Sequence, residues 1–133
     1  MTSVTSFPKE RIKVLLLENI HPSGAQMFRD DGLSVETVSS ALGEDELCAK
    51  VEDVHLLGIR SKTKVTPKVI EAGRRLLGVG CYCIGTNQVH LAEAADRGIA
   101  VFNAPYSNTR SVVELVLGEI IAPAHRGKAV GTV

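Results

Sequence analysis

Three polar loops contain the side chains best suited to binding an anion, and each follows a short apolar run. They lie at residues 60–64, 80–87 and 103–110. In the first loop, RSKTK, the guanidinium of Arg60 can form two parallel bonds to a carboxylate or phosphate, while Ser61 and Thr63 add neutral donors. The alternative is a solvated turn with ordinary surface charges, which composition alone favours because most charge runs are solvated.

The second loop is rich in glycine, which lets a backbone approach a ligand closely. Its sequence, GVGCYCIG from position 78, differs from the dinucleotide-binding fingerprint because the third glycine follows the second by five residues instead of three. We therefore reject that fingerprint. What remains is a loop whose backbone N–H groups at Ile84 and Gly85 point at an anion.

The third loop, NAPYSN from position 103, leads into a predicted helix. Ser111 and Glu114 match the S-x-x-E pattern of a capping box, and helix capping explains both residues. Capping does not explain so readily why Asn103, Ser107 and Asn108 lie beside a strand end. Loops, however, often contain such residues without binding a ligand. We interpret the second and third loops as two walls of one cleft.

The cysteines and histidines show no pattern of a metal or redox site. Cys81 and Cys83 stand one residue apart, which is the wrong spacing for a CxxC redox pair or a zinc knuckle. We expect buried or half-buried free thiols. The four histidines are His21, His55, His90 and His125. They are scattered along the chain, so we assign none of them a catalytic role.

The elements that must position these loops alternate between apolar runs and helical patterns. The apolar runs lie at residues 12–17, 33–38, 54–59, 76–79 and 99–102. Helices are predicted from residue 21 to 32, from residue 43 onward, from 66 to 75, from 87 to 97 and from 108 to 121. Five strand–helix repeats with short connections predict an α/β fold, a flavodoxin-like doubly wound parallel sheet of about five strands.

Length and charge restrict the classes of partner. A chain of 133 residues suits one domain, and its fifteen basic and fifteen acidic residues cancel, so nothing predicts binding to nucleic acid. No apolar run approaches the ~20 residues of a membrane span. The polar first residues do not resemble a secretory signal, and an odd number of cysteines, three, favours a reducing compartment. We therefore expect a cytoplasmic protein with no membrane partner.

Four segments, read together, resemble one enzyme family. They are KVLLLENIHPSGAQMF from position 13, IRSKTKVT from 59, VGCYCIGTNQVHL from 79 and RGIAVFNAPYSNTRSVVEL from 97. In this order and at this spacing they are similar to the N-terminal substrate-binding lobe of the D-isomer-specific 2-hydroxyacid dehydrogenases. The resemblance extends from residue 11 to residue 121.

The resemblance implies roles for five residues. Arg60 and Ser61 fall on positions that bind the substrate. Ile84 and Gly85 fall where backbone amides hold the substrate carboxylate, and Asn108 falls at the cleft where the chain crosses into the cofactor domain. Ile84 and Asn108 also border the cofactor. No catalytic residue is assigned within these 133 residues.

The resemblance further implies an activity. This would be the NAD-dependent oxidation of the 2-hydroxyl of a small phosphorylated 2-hydroxy acid, 3-phospho-D-glycerate, in a homo-oligomer whose dimer interface uses the helix at residues 108–121. The family's NAD-binding Rossmann domain, with its GxGxxG loop, is not found in the sequence. We therefore expect a fragment that is inactive alone. The alternatives are an inactive truncated relic and an anion-binding or assembly module without catalysis.

These observations divide the chain into four parts. We expect a flexible tail at residues 1–10, the substrate-binding lobe at 11–107, the crossover and dimerisation helix at 108–121, and an irregular tail outside the family pattern at 122–133. The last boundary follows from Pro123, which would stop the helix while its pattern is still apolar.

Overall fold

In the part of the chain that the structure describes, six parallel strands form the sheet, in the order β2-β1-β3-β4-β5-β6. The computed structural model describes residues 11–83, 85–103 and 130–132. The strands are β1 (Lys13–Leu16), β2 (Ser34–Thr37), β3 (Leu56–Ile59), β4 (Gly78–Cys81), β5 (Ala100–Asn103) and β6 (Val130–Thr132). The strand order 2-1-3-4-5 is that of flavodoxin-like sheets, so the predicted fold class is confirmed.

Four described α-helices connect the strands, and their starts follow the sequence signals. They are α1 (Pro22–Asp30), α2 (Glu44–Lys50), which continues into a short 3-10 helix (Val51–Asp53), α3 (Pro67–Ala72) and α4 (Leu91–Asp96). His21 caps α1, where its Nδ1 accepts the Ser23 N–H at 3.1 Å, and Thr66 caps α3 by accepting the Val69 N–H at 3.4 Å. A proline at the first position of each of these two helices suits the first turn. The longest described helix has nine residues, so none of the described helices could cross a bilayer.

Apolar side chains cover both faces of the sheet. Successive residues of a strand point to opposite faces, so Val14 and Leu16 join one buried cluster while Leu15 joins the other. The first cluster includes Phe28 of α1. The second includes side chains of α2, α3 and α4, for example Leu47. Helices therefore lie on both faces, as expected for a doubly wound sheet.

The two edges of the sheet differ in how well the sequence predicts them. At one edge β2 is mostly exposed and pairs with β1, in agreement with the alternating pattern of residues 33–38. At the other edge the sequence predicts an irregular tail, but Val130–Thr132 form β6 and pair with β5. A strand of three residues is too short to produce a recognisable alternation, which explains why the pattern did not indicate it.

Several element boundaries also differ from prediction. Helix α3 ends at Ala72 because Gly73 follows it, and β4 begins two residues later than predicted, at Gly78. Helix α4 begins at Leu91 and not at residue 87, because the preceding residues pair with another loop. The Val65 N–H donates to the Gln88 carbonyl at 2.9 Å, and the His90 N–H donates to the Val65 carbonyl at 3.0 Å. The helix predicted at 108–121 lies outside the described residues.

Candidate functional site

The candidate site lies at the carboxyl ends of the central strands. The chain reverses its direction of progress across the sheet between β1 and β3, since β2 follows β1 on one side and β3 pairs with it on the other. In open α/β sheets, ligands bind outside the carboxyl ends of the strands at such a switch point. Glu18 follows β1 and Arg60 follows β3, so both lie at this point.

Glu18 binds the loop that follows β3. One carboxylate oxygen, Oε2, accepts the Arg60 N–H at 2.8 Å and the Thr63 N–H at 3.0 Å, while Oε1 accepts the Lys62 N–H at 2.9 Å. Three amides of the RSKTK loop are therefore satisfied by one side chain from another strand end. The loop has a defined shape even though most of its residues are exposed.

The environment of Glu18 favours its charged form. Burial, which leaves the residue 9% exposed, raises its pKa, but the Thr63 side chain and the three backbone N–H groups together outweigh burial and lower the pKa below its usual value. The Thr63 hydroxyl lies near the carboxylate without hydrogen-bond geometry, so Thr63 Oγ1 is buried without a partner among the described residues. Glu18 is thus a fixed negative charge at the switch point.

Gln88 connects the RSKTK loop to the glycine-containing loop after β4. Its Nε2 donates to the Arg60 carbonyl at 2.8 Å and also contacts the Cys83 sulfur. Gln88 is buried, and its Oε1 has no hydrogen-bond partner within the described part of the chain. The two buried side-chain oxygens without a partner among the described residues, Thr63 Oγ1 and Gln88 Oε1, therefore lie within or beside the RSKTK loop. Unsatisfied buried groups are uncommon in proteins and often mark functional regions.

Asn103 adds the end of β5 to the same network. Its Nδ2 donates to the Cys83 carbonyl at 2.5 Å and lies 3.4 Å from the Gly85 carbonyl. The Cys83 thiol also donates to the Gly85 carbonyl at 3.2 Å. Hydrogen bonds thus join the carboxyl ends of β1, β3, β4 and β5 through Glu18, Gln88 and Asn103. This arrangement gives Asn103 a function that helix capping does not explain.

The structure brings three of the five predicted site residues to this edge. Arg60, Ser61 and Gly85 are exposed there, and the Arg60 guanidinium has no hydrogen-bond or ion-pair partner among residues 11–83 and 85–103. Ile84 and Asn108, which the resemblance also assigns to the cofactor, lie outside the described residues. An exposed guanidinium without a partner beside a fixed loop is available to bind an anion.

The cysteines are free thiols. Cys81 is buried, whereas Cys48 and Cys83 are half-buried. Burial, with a smaller contribution from Cys83, raises the pKa of the Cys81 thiol to about 12, so the reactive thiolate of Cys81 is scarce. The described residues contain no group of three or more His, Cys, Asp or Glu side chains that could hold a metal ion.

A wide groove at the opposite edge of the sheet is a weaker candidate. Its lining includes Arg11, Lys13, Asp53, His55, Arg74 and Arg75. It lies at the amino ends of β1 and β3, where parallel sheets rarely bind ligands, and part of its charge is neutralised by the Lys13–Asp53 ion pair. We therefore place the site at the carboxyl edge.

Sequence reasoning did not identify Glu18 or Gln88 as site residues. A single glutamate after an apolar run resembles a solvated turn, and Gln88 was included in a predicted helix. The signal for Glu18 was its place directly after a buried strand, which is where ligand-binding loops begin in α/β folds. No comparable signal identifies Gln88, because its contacts depend on the pairing of residues 65 and 89.

A comparison with known families finds one match over most of the chain. The family model described as D-isomer specific 2-hydroxyacid dehydrogenase, catalytic domain, matches residues 14–129. This range includes the whole network around Glu18, Gln88 and Asn103.

Curated relatives and solved structures agree with that match. The chain is 55% identical to D-3-phosphoglycerate dehydrogenase of Dictyostelium discoideum over 121 residues, which are 91% of this chain and 30% of that protein. It is 46% identical to D-3-phosphoglycerate dehydrogenase of Escherichia coli (strain K12) over 133 aligned residues, covering 92% of this chain and 32% of that protein. A crystal structure from Pyrococcus horikoshii OT3 matches with a TM-score of 0.66 at 27% identity, covering 84% of this chain and 33% of that one. The chain therefore spans about a third of the length of the relatives it matches.

Proposed function

Because this chain belongs to the D-isomer specific 2-hydroxyacid dehydrogenase family, we propose that it supplies the substrate-binding side of an NAD-dependent D-3-phosphoglycerate dehydrogenase. The names of relatives that are 46–55% identical support this substrate over other 2-hydroxy acids. The reaction would oxidise 3-phospho-D-glycerate to 3-phosphohydroxypyruvate, a step of serine biosynthesis. The hydroxyl proton would pass to a base and the hydride from C2 to NAD.

The exposed guanidinium of Arg60 is the observation that carries this proposal. The substrate has a carboxylate and a phosphate, and guanidinium groups bind both in a bidentate manner. Glu18 and Gln88 hold the backbone on each side of Arg60, through its N–H and its carbonyl, so the side chain leaves a fixed point. Ser61, the next residue, adds a hydroxyl and an N–H that Glu18 does not bind.

Gly85 supports a role for the second loop. It is exposed, and among the described residues an added Cβ would meet one side-chain atom within 4 Å, Asn87 Oδ1 at 3.3 Å. The backbone edge is therefore open to the close approach of a carboxylate or of a flat ring such as nicotinamide. By the resemblance, Ile84 and Asn108 would complete this wall beside NAD, which supplies the hydride acceptor when bound.

Assembly and location complete the proposal. We propose a homo-oligomer, because the resemblance gives the helix at residues 108–121 a place in a dimer interface. We also propose a cytoplasmic location, since all three cysteines are free thiols and free thiols persist in reducing compartments.

A titration with 3-phospho-D-glycerate tests the substrate site. In ¹H–¹⁵N NMR spectra of the chain, the Arg60, Ser61 and Gly85 amides should shift in a saturable manner. Arg60→Ala should weaken binding by about 2–3 kcal/mol, or roughly 30- to 150-fold in Kd, because a charge-assisted contact is lost. Lys64→Ala removes an exposed cation from the same loop and is the matched control, expected to stay within about threefold of the parent.

Two results would contradict the proposal. One is the absence of any saturable shift in the parent chain at millimolar substrate. The other is an equal loss of binding in Arg60→Ala and Lys64→Ala, which would indicate general attraction to positive charge instead of a specific contact.

A further inference from the structure

We propose that Glu18 is a positioning residue whose carboxylate, by binding the amides of Arg60, Lys62 and Thr63, holds the loop after β3 in the shape that binds substrate. The inference rests on the proposed function, since it concerns the same site. It assigns a role to a residue that would not itself contact the substrate.

Within the loop after β3, Glu18 binds three backbone amides and leaves the amide of Ser61 unbound. Both carboxylate oxygens accept N–H groups from Arg60, Lys62 and Thr63, at 2.8–3.0 Å. The amide of Ser61 lies between them in sequence and is not bound by Glu18. Three anchored amides thus fix the path of the loop, in which Arg60 and Ser61 are both exposed.

The backbone before this loop is held in an unusual conformation. Glu18 and Asn19 have φ angles of 62° and 54°, which non-glycine residues adopt infrequently. Their N–H groups donate to the carbonyls of Ser40 and Val38, both at 3.2 Å, so a second loop stabilises the turn. This turn brings the Glu18 side chain from the end of β1 to the loop after β3. Uncommon backbone conformations of this kind concentrate at functional sites.

The charge of Glu18 is essential to the arrangement. An ionised carboxylate accepts with both oxygens, whereas a glutamine has one acceptor and would direct an N–H₂ group at N–H donors. The variant Glu18→Gln keeps the size of the side chain and removes this capacity. Glu46→Gln neutralises an exposed glutamate of α2 and is the matched control.

Hydrogen exchange tests the positioning directly. In Glu18→Gln the amides of Arg60, Lys62 and Thr63 should exchange at least about tenfold faster than in the parent chain, because each loses a charge-assisted acceptor. The amides of Leu17 and Tyr82, which donate to Gly58 and Ile59, should keep their rates. Unchanged rates in the loop, or an equal increase everywhere, would overturn the proposal.

A pH titration of the parent chain gives a measurement that needs no variant, in case Glu18→Gln fails to fold. The three loop amides should shift together, with one midpoint that lies below the usual pKa of a glutamate carboxyl, because their common acceptor is the Glu18 carboxylate. Three unrelated midpoints, or no shift of these amides, would count against the proposal.

Binding of 3-phospho-D-glycerate then separates this inference from the proposed function. If the parent binds and Arg60→Ala is impaired, Glu18→Gln should raise Kd at least about tenfold and Glu46→Gln should not. Normal binding by a folded Glu18→Gln would refute the role of Glu18 and leave the substrate site intact. If the parent itself does not bind, the proposed function fails and this inference fails with it.

Discussion

At the carboxyl edge of the sheet, burial determines what each charged residue can do. Arg60 is exposed, and its guanidinium has no hydrogen-bond or ion-pair partner among the described residues, so its charge is available to a ligand. Glu18 is buried, and three N–H donors occupy its oxygens, so it is a poor proton acceptor but a strong anchor. The Arg60 guanidinium is therefore available to an anion, whereas the Glu18 carboxylate is already bound to the backbone of the loop.

The exposed position of Arg60 after β3 could be expected from the sequence, whereas the contacts of Glu18 could not, for a physical reason. An arginine side chain is always charged, so its residue type alone shows that it can bind an anion. Its loop is also recognisable from sequence, because it directly follows an apolar run. The role of Glu18 depends on a contact with residues more than forty positions away. Gln88 is similar, because its contact with the Arg60 carbonyl exists only once two loops have paired.

His55, at the opposite edge, makes stability depend on pH. Its Nδ1 accepts the Lys13 N–H at 3.1 Å, which requires that nitrogen to be unprotonated. Burial, followed by the charge of Arg75, lowers the His55 pKa below 6.5, although Asp53 opposes this. The unfolded chain then binds more protons than the folded chain in the range just below pH 6.5. The free energy of unfolding should therefore fall as the pH drops from 6.5 through the folded pKa.

Urea unfolding of variants at several pH values checks this dependence. His55→Asn keeps an acceptor but does not titrate, so it should flatten the slope below pH 6.5 and change stability at neutral pH by about 1 kcal/mol at most. His90→Asn is the control, since His90 also accepts a backbone N–H but at the exposed start of α4. A parent-like slope in His55→Asn would show that other groups cause the acid sensitivity.

At the scale of elements, the sequence predicted which helices and strands exist better than it predicted the residues at which they begin and end. Buried strands are continuous apolar runs, and proline after a capping residue marks a helix start, so β1, β3, α1 and α3 were recognisable. The errors occurred where tertiary pairing determines the ends, as in the segment before α4. Local patterns cannot contain that information.

Two glycines in register provide a test of packing between strands. Gly58 of β3 pairs with Gly80 of β4. A Cβ at Gly58 would lie 2.5 Å from Leu16 Cδ2, whereas one at Gly80 would meet Tyr82 Cε1 at an ordinary 3.4 Å. Gly58→Ala should therefore destabilise by about 1–3 kcal/mol, because the fully buried Leu16 must move.

Gly80→Ala is the matched control and should cost less than about 1 kcal/mol. Urea unfolding midpoints compare the two variants under identical conditions. Equal midpoints would show that Leu16 moves aside freely and that the region between α1 and the sheet is loosely packed.

At the scale of the whole molecule, we expect the chain to bind substrate without catalysing its oxidation. Oxidation of the 2-hydroxyl requires a base and a hydride acceptor held at C2. Glu18, the carboxylate that binds the loop of Arg60, favours its charged form and is occupied by three amides, so it is a poor base. We therefore expect no NADH production above background from the 133-residue chain with 3-phospho-D-glycerate and NAD.

Absorbance at the NADH band measures this, with D-3-phosphoglycerate dehydrogenase of Escherichia coli as the positive control. Turnover that scales with the concentration of the purified chain would refute the assignment. Such turnover would require a base other than Glu18, whose carboxylate is occupied by amides.

The position of β1 inside the sheet has a consequence for synthesis on the ribosome. β1 is the first described strand to emerge, yet its partner β3 begins at Leu56, after β2 and two helices have been made. Leu15 and Leu16 are both 1% exposed in the folded chain. Before β3 is made, the sheet around them is incomplete and their side chains are not fully buried. Nascent chains in this state are the ones that chaperones protect. Glu18 also reaches the loop after β3 only when β1 and β3 pair, so these contacts at the carboxyl edge form no earlier than the centre of the sheet.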